Sequence, residues 1–419
     1  MSSPTFGEPS AHILPRRAAV AVFLAFALAY FLSALLRAIT ATLSPVLTEV
    51  LSLHARDLGL LAGGYFLGFA AVQLPLGSWL DRHGPKKVIL GLLTVAVLGC
   101  VVFAVAEGFT GLMAARVLMG VGVSACLMAP LTGYRRWFDA GTQLRSNAWM
   151  LMTGSLGMVA STLPVQWLMP LLGWRPLFWG LAVALVVAMV WIAAAVPAWS
   201  APESAPVAGA ESSYAAVWRH PYFQRMTPIG FFSYGGLIAM QTLWAVPWMI
   251  KVCGHTASQA ATGLFWINVC MLGTFWTWGL VNPALVRRGF TAERLIAWGL
   301  PFSFILLAII VIAGDSLSTL ATPAIALYCM SCSFVSLAQP AVGMAFPQAL
   351  AGRALSAYNL VIFAGVFVVQ WGIGLLIDGA RALGLGEVAA YQAAVGVFLA
   401  SCVAAYLHFL RAKPHNQGS

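Results

Sequence analysis

The sequence predicts an all-α polytopic membrane protein with twelve transmembrane helices in two pseudo-symmetric six-helix bundles. Three observations lead to this prediction. The 419 residues are 61% hydrophobic and only 8% charged, whereas a surface that faces water needs far more charge. Apolar runs of about 20 residues, each long enough to cross a bilayer as a helix, recur along the whole chain. A polar, proline-containing stretch near the middle separates these runs into two sets of six.

Proline, glycine and charged residues between the apolar runs set the limits of the predicted spans. The first six are residues 18–47, 56–80, 87–106, 110–133, 146–170 and 174–196, and the second six are 223–250, 258–284, 292–313, 318–346, 353–377 and 388–410. The stretch PAWSAPESAPVAGAESS between the two sets has the composition of a linker. We therefore predict an N-terminal bundle over 1–196, a cytoplasmic linker over 197–222 and a C-terminal bundle over 223–419.

The distribution of basic residues predicts the orientation of the spans. With the N-terminus in the cytoplasm and one crossing per span, sixteen Lys and Arg residues fall on the cytoplasmic side and four on the other side. This asymmetry follows the positive-inside rule. We expect a multi-pass protein of the bacterial inner membrane with both termini in the cytoplasm. The cytoplasmic loops account for the net charge of +10, so no nucleic-acid partner is predicted.

The seven cysteines predict neither a disulfide framework nor a metal site, because most of them lie inside apolar runs. Cys329 and Cys332 have C-x-x-C spacing, but no acidic residue or histidine lies beside them. Small residues that pack helices are the favoured interpretation. No metal and no cofactor is predicted.

A polar motif, GSWLDRHGPKK, separates the second predicted span from the third. Its glycines allow a close helix approach at Gly77 and, with the following proline, a turn at Gly84. The motif resembles the G-x-L-a-D-r-x-G-r-k signature of the major facilitator superfamily. RVLMGVG, which begins at Arg116 in the fourth span, resembles that family's R-x-x-q-G-x-G element with methionine at the glutamine position. The six-plus-six arrangement extends the resemblance to the whole chain.

The resemblance implies two bundles around a central cavity and a transporter rather than an enzyme. It also implies a gating role for the motif Gly77, Asp81, Arg82 and Gly84, in which the aspartate and arginine latch the two halves together on the cytoplasmic side. The corresponding segment of the second half is VRRG, with a valine at the aspartate position. A weaker internal repeat relates Q-x3-G-x3-D at 73–81 to the same pattern at 370–378.

Two arginines inside the spans suggest where a substrate binds. Arg37 and Arg116 are the only basic residues there, and no acid or histidine lies near the centre of any predicted span. An intramembrane arginine costs about 2.5–3.5 kcal/mol unless another group compensates it. Both residues are on the order of 10–15 Å from the outer surface at 1.5 Å per residue. A bound carboxylate or phosphate would supply the missing charge through two parallel hydrogen bonds.

The resemblance supports this interpretation, since first-helix arginines bind substrate anions in the organic-anion branches of the superfamily. Two alternatives remain open. Arg37 could extend toward the membrane surface or bond backbone carbonyls near Pro45, and Arg116 could be a structural clamp. In the second half, aromatic and amide side chains are the candidates for substrate binding. They are Tyr234, Gln241, Trp244, Tyr328, Tyr358 and Asn359. Trp244 could instead belong to the aromatic belt at the membrane surface.

The leading functional hypothesis is a monomeric secondary transporter that takes up a small organic anion by alternating access, together with protons. Because no central acid or histidine can titrate, facilitated diffusion and coupling through the substrate's own ionisation stay open. The alternative is a proton-coupled efflux antiporter. Drug antiporters of the superfamily carry G-x-x-x-G-P-x-x-G-G in helix five, and this chain lacks that pattern. No Ser–His–acid set suggests an enzyme.

Overall fold

The computed structural model describes residues 13–199 and 214–412, which are almost entirely helical and contain no β-strand. Within these residues nine helices, or ten if one bent pair is a single span, are long and apolar enough to cross a membrane. Two of the nine, Ala55–Val105 and Ala292–Met344, have 51 and 53 residues. About 20 residues suffice for one crossing, so each of these two supplies two crossings. The described chain thus accommodates twelve spans, and the predicted all-α fold is confirmed.

The first six spans are numbered in chain order. They are Arg16–Leu51, the two parts of Ala55–Val105, Phe109–Val123 with Met128–Trp137, Ala140–Ala160 with Leu163–Leu172, and Trp174–Ala195. Gly84 separates the second span from the third because its φ of 79° and ψ of 160° are not helical. The fifth span bends by 43°. Pro164 explains that bend, since proline has no N–H to donate to the preceding turn.

The other six spans follow the short helix Tyr214–Arg219. They are Pro221–Lys251, Ala257–Arg287, Ala292–Ala313, Ala321–Cys332 with Ala338–Met344, Gln348–Ala382 and Glu387–Arg411. Two π-helical turns, Ile229–Tyr234 and Met240–Trp244, interrupt the seventh span. Of the predicted linker, residues 200–213 lie outside the described residues. The Tyr214 hydroxyl donates to the Leu74 carbonyl at 2.8 Å, which attaches the start of this half to the second span.

The second and eleventh spans form the most extensive contact between the two halves. Their backbones meet directly at one end of this antiparallel pair. A Cβ atom added to Gly59 would lie 2.3 Å from the carbonyl oxygen of Gln370, and one added to Gly374 would lie 2.4 Å from that of Ala55. Any residue larger than glycine would therefore force the two helices apart at this end.

The same two helices are less tightly packed at their other end. A Cβ atom added to Gly77 would have Ser356 Oγ as its nearest neighbour, at 3.9 Å. We call this the Asp81 end of the molecule, and the tightly packed one the Asp378 end, after the aspartates found there. The two halves are thus packed backbone against backbone at the Asp378 end and less tightly at the Asp81 end.

Candidate functional site

Arg37 lies where the two halves face each other. Its guanidinium carbon is 5.7 Å from the ring centre of Phe69 in the second span and 5.8 Å from that of Phe363 in the eleventh. These two rings also contact each other, with centres 4.4 Å apart. Arg37 is partly exposed, but its Nε is buried and has no hydrogen-bond partner in the protein. The guanidinium therefore keeps one donor without a partner in the protein.

Three tyrosines surround this guanidinium. Tyr30 of the first span, Tyr65 of the second and Tyr234 of the seventh all interact with it electrostatically. The Tyr65 hydroxyl donates to the Ser33 carbonyl at 3.1 Å, which fixes the ring beside the first span. Neutral hydroxyls can orient a cation and bind an incoming anion, but they cannot neutralise the positive charge of Arg37.

No carboxylate of the described chain compensates Arg37 or Arg116. The ion pairs found among the described residues are Arg56–Asp57, Lys251–Glu387 and Arg381–Glu387. All three involve partly exposed side chains near the Asp378 end. The electrostatic partners of the two intramembrane arginines are tyrosines and the cysteines Cys100 and Cys126 instead.

Arg116 lies next to Arg37 but does not reach the space between the halves. Its side chain is completely buried, and one terminal nitrogen donates to the Leu36 carbonyl at 2.9 Å. Its guanidinium carbon is 5.0 Å from the centre of the Tyr65 ring. These contacts hold the first, second and fourth spans together at the level of Arg37, as the clamp alternative requires. Substrate contact by Arg116 stays a prediction.

The other candidates of the seventh span occupy different environments. Tyr234 is partly exposed beside Arg37. Gln241 is 5% exposed, and its amide donates to Asn268 Oδ1 of the eighth span at 3.4 Å. Trp244 is 1% exposed, and its indole N–H donates to the Gln370 carbonyl at 3.1 Å. Of these three side chains, the structure brings only Tyr234 to Arg37.

The candidates of the tenth and eleventh spans are buried within the second half. Tyr328 is 2% exposed. The Tyr358 hydroxyl donates to the Met226 carbonyl at 3.1 Å, and Asn359 accepts a hydrogen bond from Gln339. These hydrogen bonds join neighbouring helices of one half. The predicted roles of all three in substrate binding remain predictions.

The four residues of the gating motif lie together where the second span ends. Asp81 is exposed and interacts electrostatically with Arg135 of the fourth span and Arg353 of the eleventh. Arg353 belongs to the opposite half, so Asp81 is placed as the predicted latch requires. Among the described ion pairs, however, none involves Asp81 or the exposed Arg82. The latch itself remains a prediction.

The Asp378 end carries a closer polar contact between the halves. The carboxylate of Asp378, near the end of the eleventh span, accepts the backbone N–H of Arg56 at 2.9 Å and that of Ala55 at 3.3 Å. These N–H groups begin the helix Ala55–Val105 and have no partner within it. The carboxylate thus caps a helix of the opposite half, where the helix dipole also favours negative charge.

Sequence reasoning missed four of the side chains around Arg37, namely Tyr30, Tyr65, Phe69 and Phe363. One signal could have found Tyr30, because it precedes Arg37 by seven residues and so lies on the same helical face. The other three belong to the second and eleventh spans. Only the packing of the second and eleventh helices brings them to Arg37.

The described residues offer no alternative centre for metal chemistry. Among them, no three His, Cys, Asp or Glu side chains are grouped so that they could hold a metal ion. All seven cysteines are free, and five of them are buried.

Comparisons with known proteins point to one family. The family model of the Major Facilitator Superfamily matches residues 26–370. A "Probable L-galactonate transporter" of Escherichia coli (strain K12) is 28% identical over 135 residues, which cover 31% of this chain and 29% of that protein. A "Chloramphenicol resistance protein" of Pseudomonas aeruginosa is 29% identical over 153 residues, 34% of this chain and 35% of that protein. The alignments thus span about a third of each relative.

The fold is also similar to solved structures over nearly its full length. A bacterial homologue of the human lysosomal transporter Spinster, in an inward-facing and unoccupied conformation, superposes with a TM-score of 0.73. That superposition covers 95% of this chain and 96% of the other, at 17% sequence identity.

Proposed function

Because the chain belongs to the Major Facilitator Superfamily, whose members are multi-pass membrane transporters rather than enzymes, we propose that it takes up a small organic anion by alternating access. The observation that carries this proposal is the environment of Arg37. Its guanidinium lies between the two halves and is surrounded by aromatic rings and hydroxyls, without an acidic partner in the described chain.

A carboxylate substrate would resolve the electrostatic problem that Arg37 poses. An uncompensated arginine at this depth costs about 2.5–3.5 kcal/mol. A carboxylate 4 Å away contributes about 4 kcal/mol at an effective dielectric constant of 20, which is enough to offset that cost. The planar guanidinium can donate two parallel hydrogen bonds to a carboxylate. Tyr30, Tyr65 and Tyr234 can then donate to its remaining lone pairs.

The two ends of the second and eleventh spans suggest how the halves move. We place the Asp81 end in the cytoplasm, because the loops at that end carry most of the Lys and Arg residues. In this orientation the structure is closed toward the outside by the Asp378 contacts. During transport those contacts break, while Asp81 and Arg353 approach each other at the cytoplasmic end.

Coupling to protons is part of the proposal and has a separate test. The chain has no acid or histidine near the centre of a span, so a coupling proton would have to bind elsewhere than at a titratable side chain in the span centres. We expect uptake into proteoliposomes to rise when the outside is made more acidic than the inside. Uptake that ignores an imposed pH gradient would exclude coupling and leave facilitated diffusion.

Thermal stability of the purified protein tests anion binding directly, because a ligand that binds only the folded state raises Tm. The L-galactonate relative makes that sugar acid the first probe, with L-galactose as its neutral counterpart and other monocarboxylates beside it. We expect a carboxylate, but not its neutral counterpart, to raise Tm. The Arg37→Gln variant should lose this shift, and Arg287→Gln, at the exposed end of the eighth span, should keep it. Stabilisation by neutral solutes alone would contradict the proposal.

The second candidate function is proton-coupled efflux, which the similarity to a chloramphenicol resistance protein favours. The direction of net transport separates the two. Inside-out vesicles energised with a proton gradient would accumulate the substrate of an efflux antiporter. Cells that express the chain would instead accumulate the substrate of an uptake system, and deletion of the gene would leave drug sensitivity unchanged.

We also propose that the protein acts as a monomer in the cytoplasmic membrane with both termini inside. The sixteen-to-four distribution of basic residues supports this orientation. A fluorescent protein fused after the last residue should therefore fluoresce, whereas alkaline phosphatase fused there should be inactive. The opposite pair of results would reverse the orientation.

A further inference from the structure

A cavity of about 480 Å³ lies away from Arg37, between the first turns of the first and fifth spans. Its polar lining comes from Arg16 and Arg145, with Asp139, Thr142 and Ser146 beside them. Its apolar lining includes Val20, Phe23 and Trp149. We call it the 1/5 groove. Neither Arg37 nor any residue named around it lines the groove, so the transport proposal does not use it.

The groove has a fixed shape at its polar end. The backbone N–H of Leu14 donates to the Trp137 carbonyl at 2.9 Å, which attaches the segment before the first span to the end of the fourth. Asp139 caps the fifth span by accepting the Thr142 N–H at 3.0 Å. These hydrogen bonds also hold the pKa of Asp139 below its usual range, so this carboxylate is charged and already engaged.

The charges in the groove favour an anionic ligand. Neither Arg16 nor Arg145 takes part in the ion pairs found in the described residues. Both side chains are exposed. Arg16 and Arg145 contribute two positive charges and Asp139 one negative charge, so the lining carries a net charge of +1. The first and fifth helices both begin here, and their dipoles add positive potential.

The groove is also amphipathic along the membrane normal. The first span has 36 residues, about 54 Å at 1.5 Å per residue, so it extends beyond a hydrocarbon core of about 30 Å. Arg16 begins this helix, and Phe23 lies about 10 Å deeper. Val20 and Trp149 are 50% and 57% exposed. The basic residues thus lie at the depth of lipid headgroups, and the apolar ones of the first span lie about 6–10 Å closer to the hydrocarbon core.

We propose that the 1/5 groove binds one anionic phospholipid, with its phosphate between Arg16 and Arg145 and an acyl chain along Val20, Phe23 and Trp149. A free phosphate would leave the apolar wall exposed. A peptide segment in the deeper part would have backbone groups without partners in hydrocarbon, whereas an acyl chain has none. The proposal requires a membrane location but not the anion-transport proposal, so either can fail alone.

Native mass spectrometry of the full-length protein tests the proposal with phosphatidylglycerol and phosphatidylcholine of identical acyl chains. We expect one retained phosphatidylglycerol and at least fivefold less phosphatidylcholine. The double variant Arg16→Gln/Arg145→Gln should retain at least fivefold less phosphatidylglycerol. Arg287→Gln/Arg288→Gln loses the same charge elsewhere and should bind as the wild type does. The proposal would be overturned if the groove variant retained as much phosphatidylglycerol as the wild type. It would also be overturned if inorganic phosphate displaced the lipid equally well.

Photocrosslinking identifies the occupant in native membranes. With p-benzoylphenylalanine in place of Trp149, the proposal predicts an adduct whose added mass is that of a phospholipid. An adduct to a peptide from residues 1–12, or to a second copy of the chain, would show that protein occupies the groove and would refute the lipid site.

Discussion

The guanidinium carbon of Arg37 lies 5.8 Å from the ring centre of Phe363, across the boundary between the two halves of the molecule. Arg37 belongs to the first span and Phe363 to the eleventh. A substrate held by Arg37 is therefore placed where relative motion of the halves changes its surroundings. This contact places the proposed anion site at the interface between the two halves.

Replacing Phe363 should weaken anion binding. The ring excludes water from one face of the guanidinium, and a cation–π contact contributes about 0.5–2 kcal/mol to holding it in place. We expect Phe363→Ala to raise the KM for the transported carboxylate about three- to thirtyfold. Phe363→Tyr keeps the ring and should stay within threefold of the wild type. An unchanged KM in the alanine variant would show that the ring does not support the site.

Removing the Asp378 carboxylate should favour opening at the Asp378 end. The carboxylate caps two N–H groups of the opposite half, and loss of such a cap costs about 1 kcal/mol. In Asp378→Ala we expect the population open at that end to rise about fivefold. Spin labels at Val50 and Leu383, which are 56% and 83% exposed, can report the distance between the halves. The seven native cysteines must first be replaced.

The matched control for this prediction is Glu387→Ala. Glu387 pairs with Lys251 and Arg381, and all three residues belong to the same half. Its loss should leave the distance distribution unchanged. A distribution that shifts equally in both variants would mean that surface charge, rather than the cap, controls opening.

A side chain at Gly374 should prevent the halves from closing. The added Cβ would lie 2.4 Å from the Ala55 carbonyl oxygen, and the backbone there cannot move aside cheaply. We expect Gly374→Val to reduce transport at least tenfold. Gly372→Val tests the same helix, at a position where a Cβ meets no atom within 4 Å. That control should transport normally, and equal loss in both variants would contradict the close-approach explanation.

We predict that Gly84 contributes to the stability of the fold rather than to substrate binding. Its φ of 79° suits glycine, and an added Cβ would lie 2.2 Å from Trp199 Cγ. We expect Gly84→Ala to lower Tm through backbone strain of about 1–2 kcal/mol together with this clash. Gly91→Ala, where a Cβ meets nothing within 4 Å, should be neutral or slightly stabilising. An unchanged Tm in Gly84→Ala would refute this account of the kink.

The sequence was sufficient to predict the twelve spans, because apolar length and turn residues determine them locally. It also selected Arg37, since a charge in an apolar run is conspicuous. The polar motif GSWLDRHGPKK predicted a break between the second and third spans, whereas Ala55–Val105 continues through it as one helix with a kink at Gly84. The predicted boundary there differs by a few residues for this reason.

The environment of Arg37 could not be predicted, because it depends on how distant helices pack. Nothing near Phe363 in the sequence distinguishes it from the other phenylalanines of the eleventh span. Tyr358 and Trp244 show a second limit. Their polar atoms suggested a substrate site, and the fold adds that their hydrogen bonds go to backbone carbonyls of neighbouring spans. The sequence does not predict such hydrogen bonds, and the substrate roles of both residues stay predictions.

Saturable uptake by Arg37 variants in proteoliposomes tests the central claim most directly. The substrate is the carboxylate found by the stability screen. We predict that Arg37→Gln lowers kcat/KM at least 100-fold. Arg37→Lys keeps the charge but not the planar pair of donors, so its kcat/KM should lie between those of the wild type and Arg37→Gln. The unliganded Tm of Arg37→Gln should stay equal or rise, because an uncompensated charge has been removed. Saturable uptake within threefold of the wild type in Arg37→Gln would contradict the account.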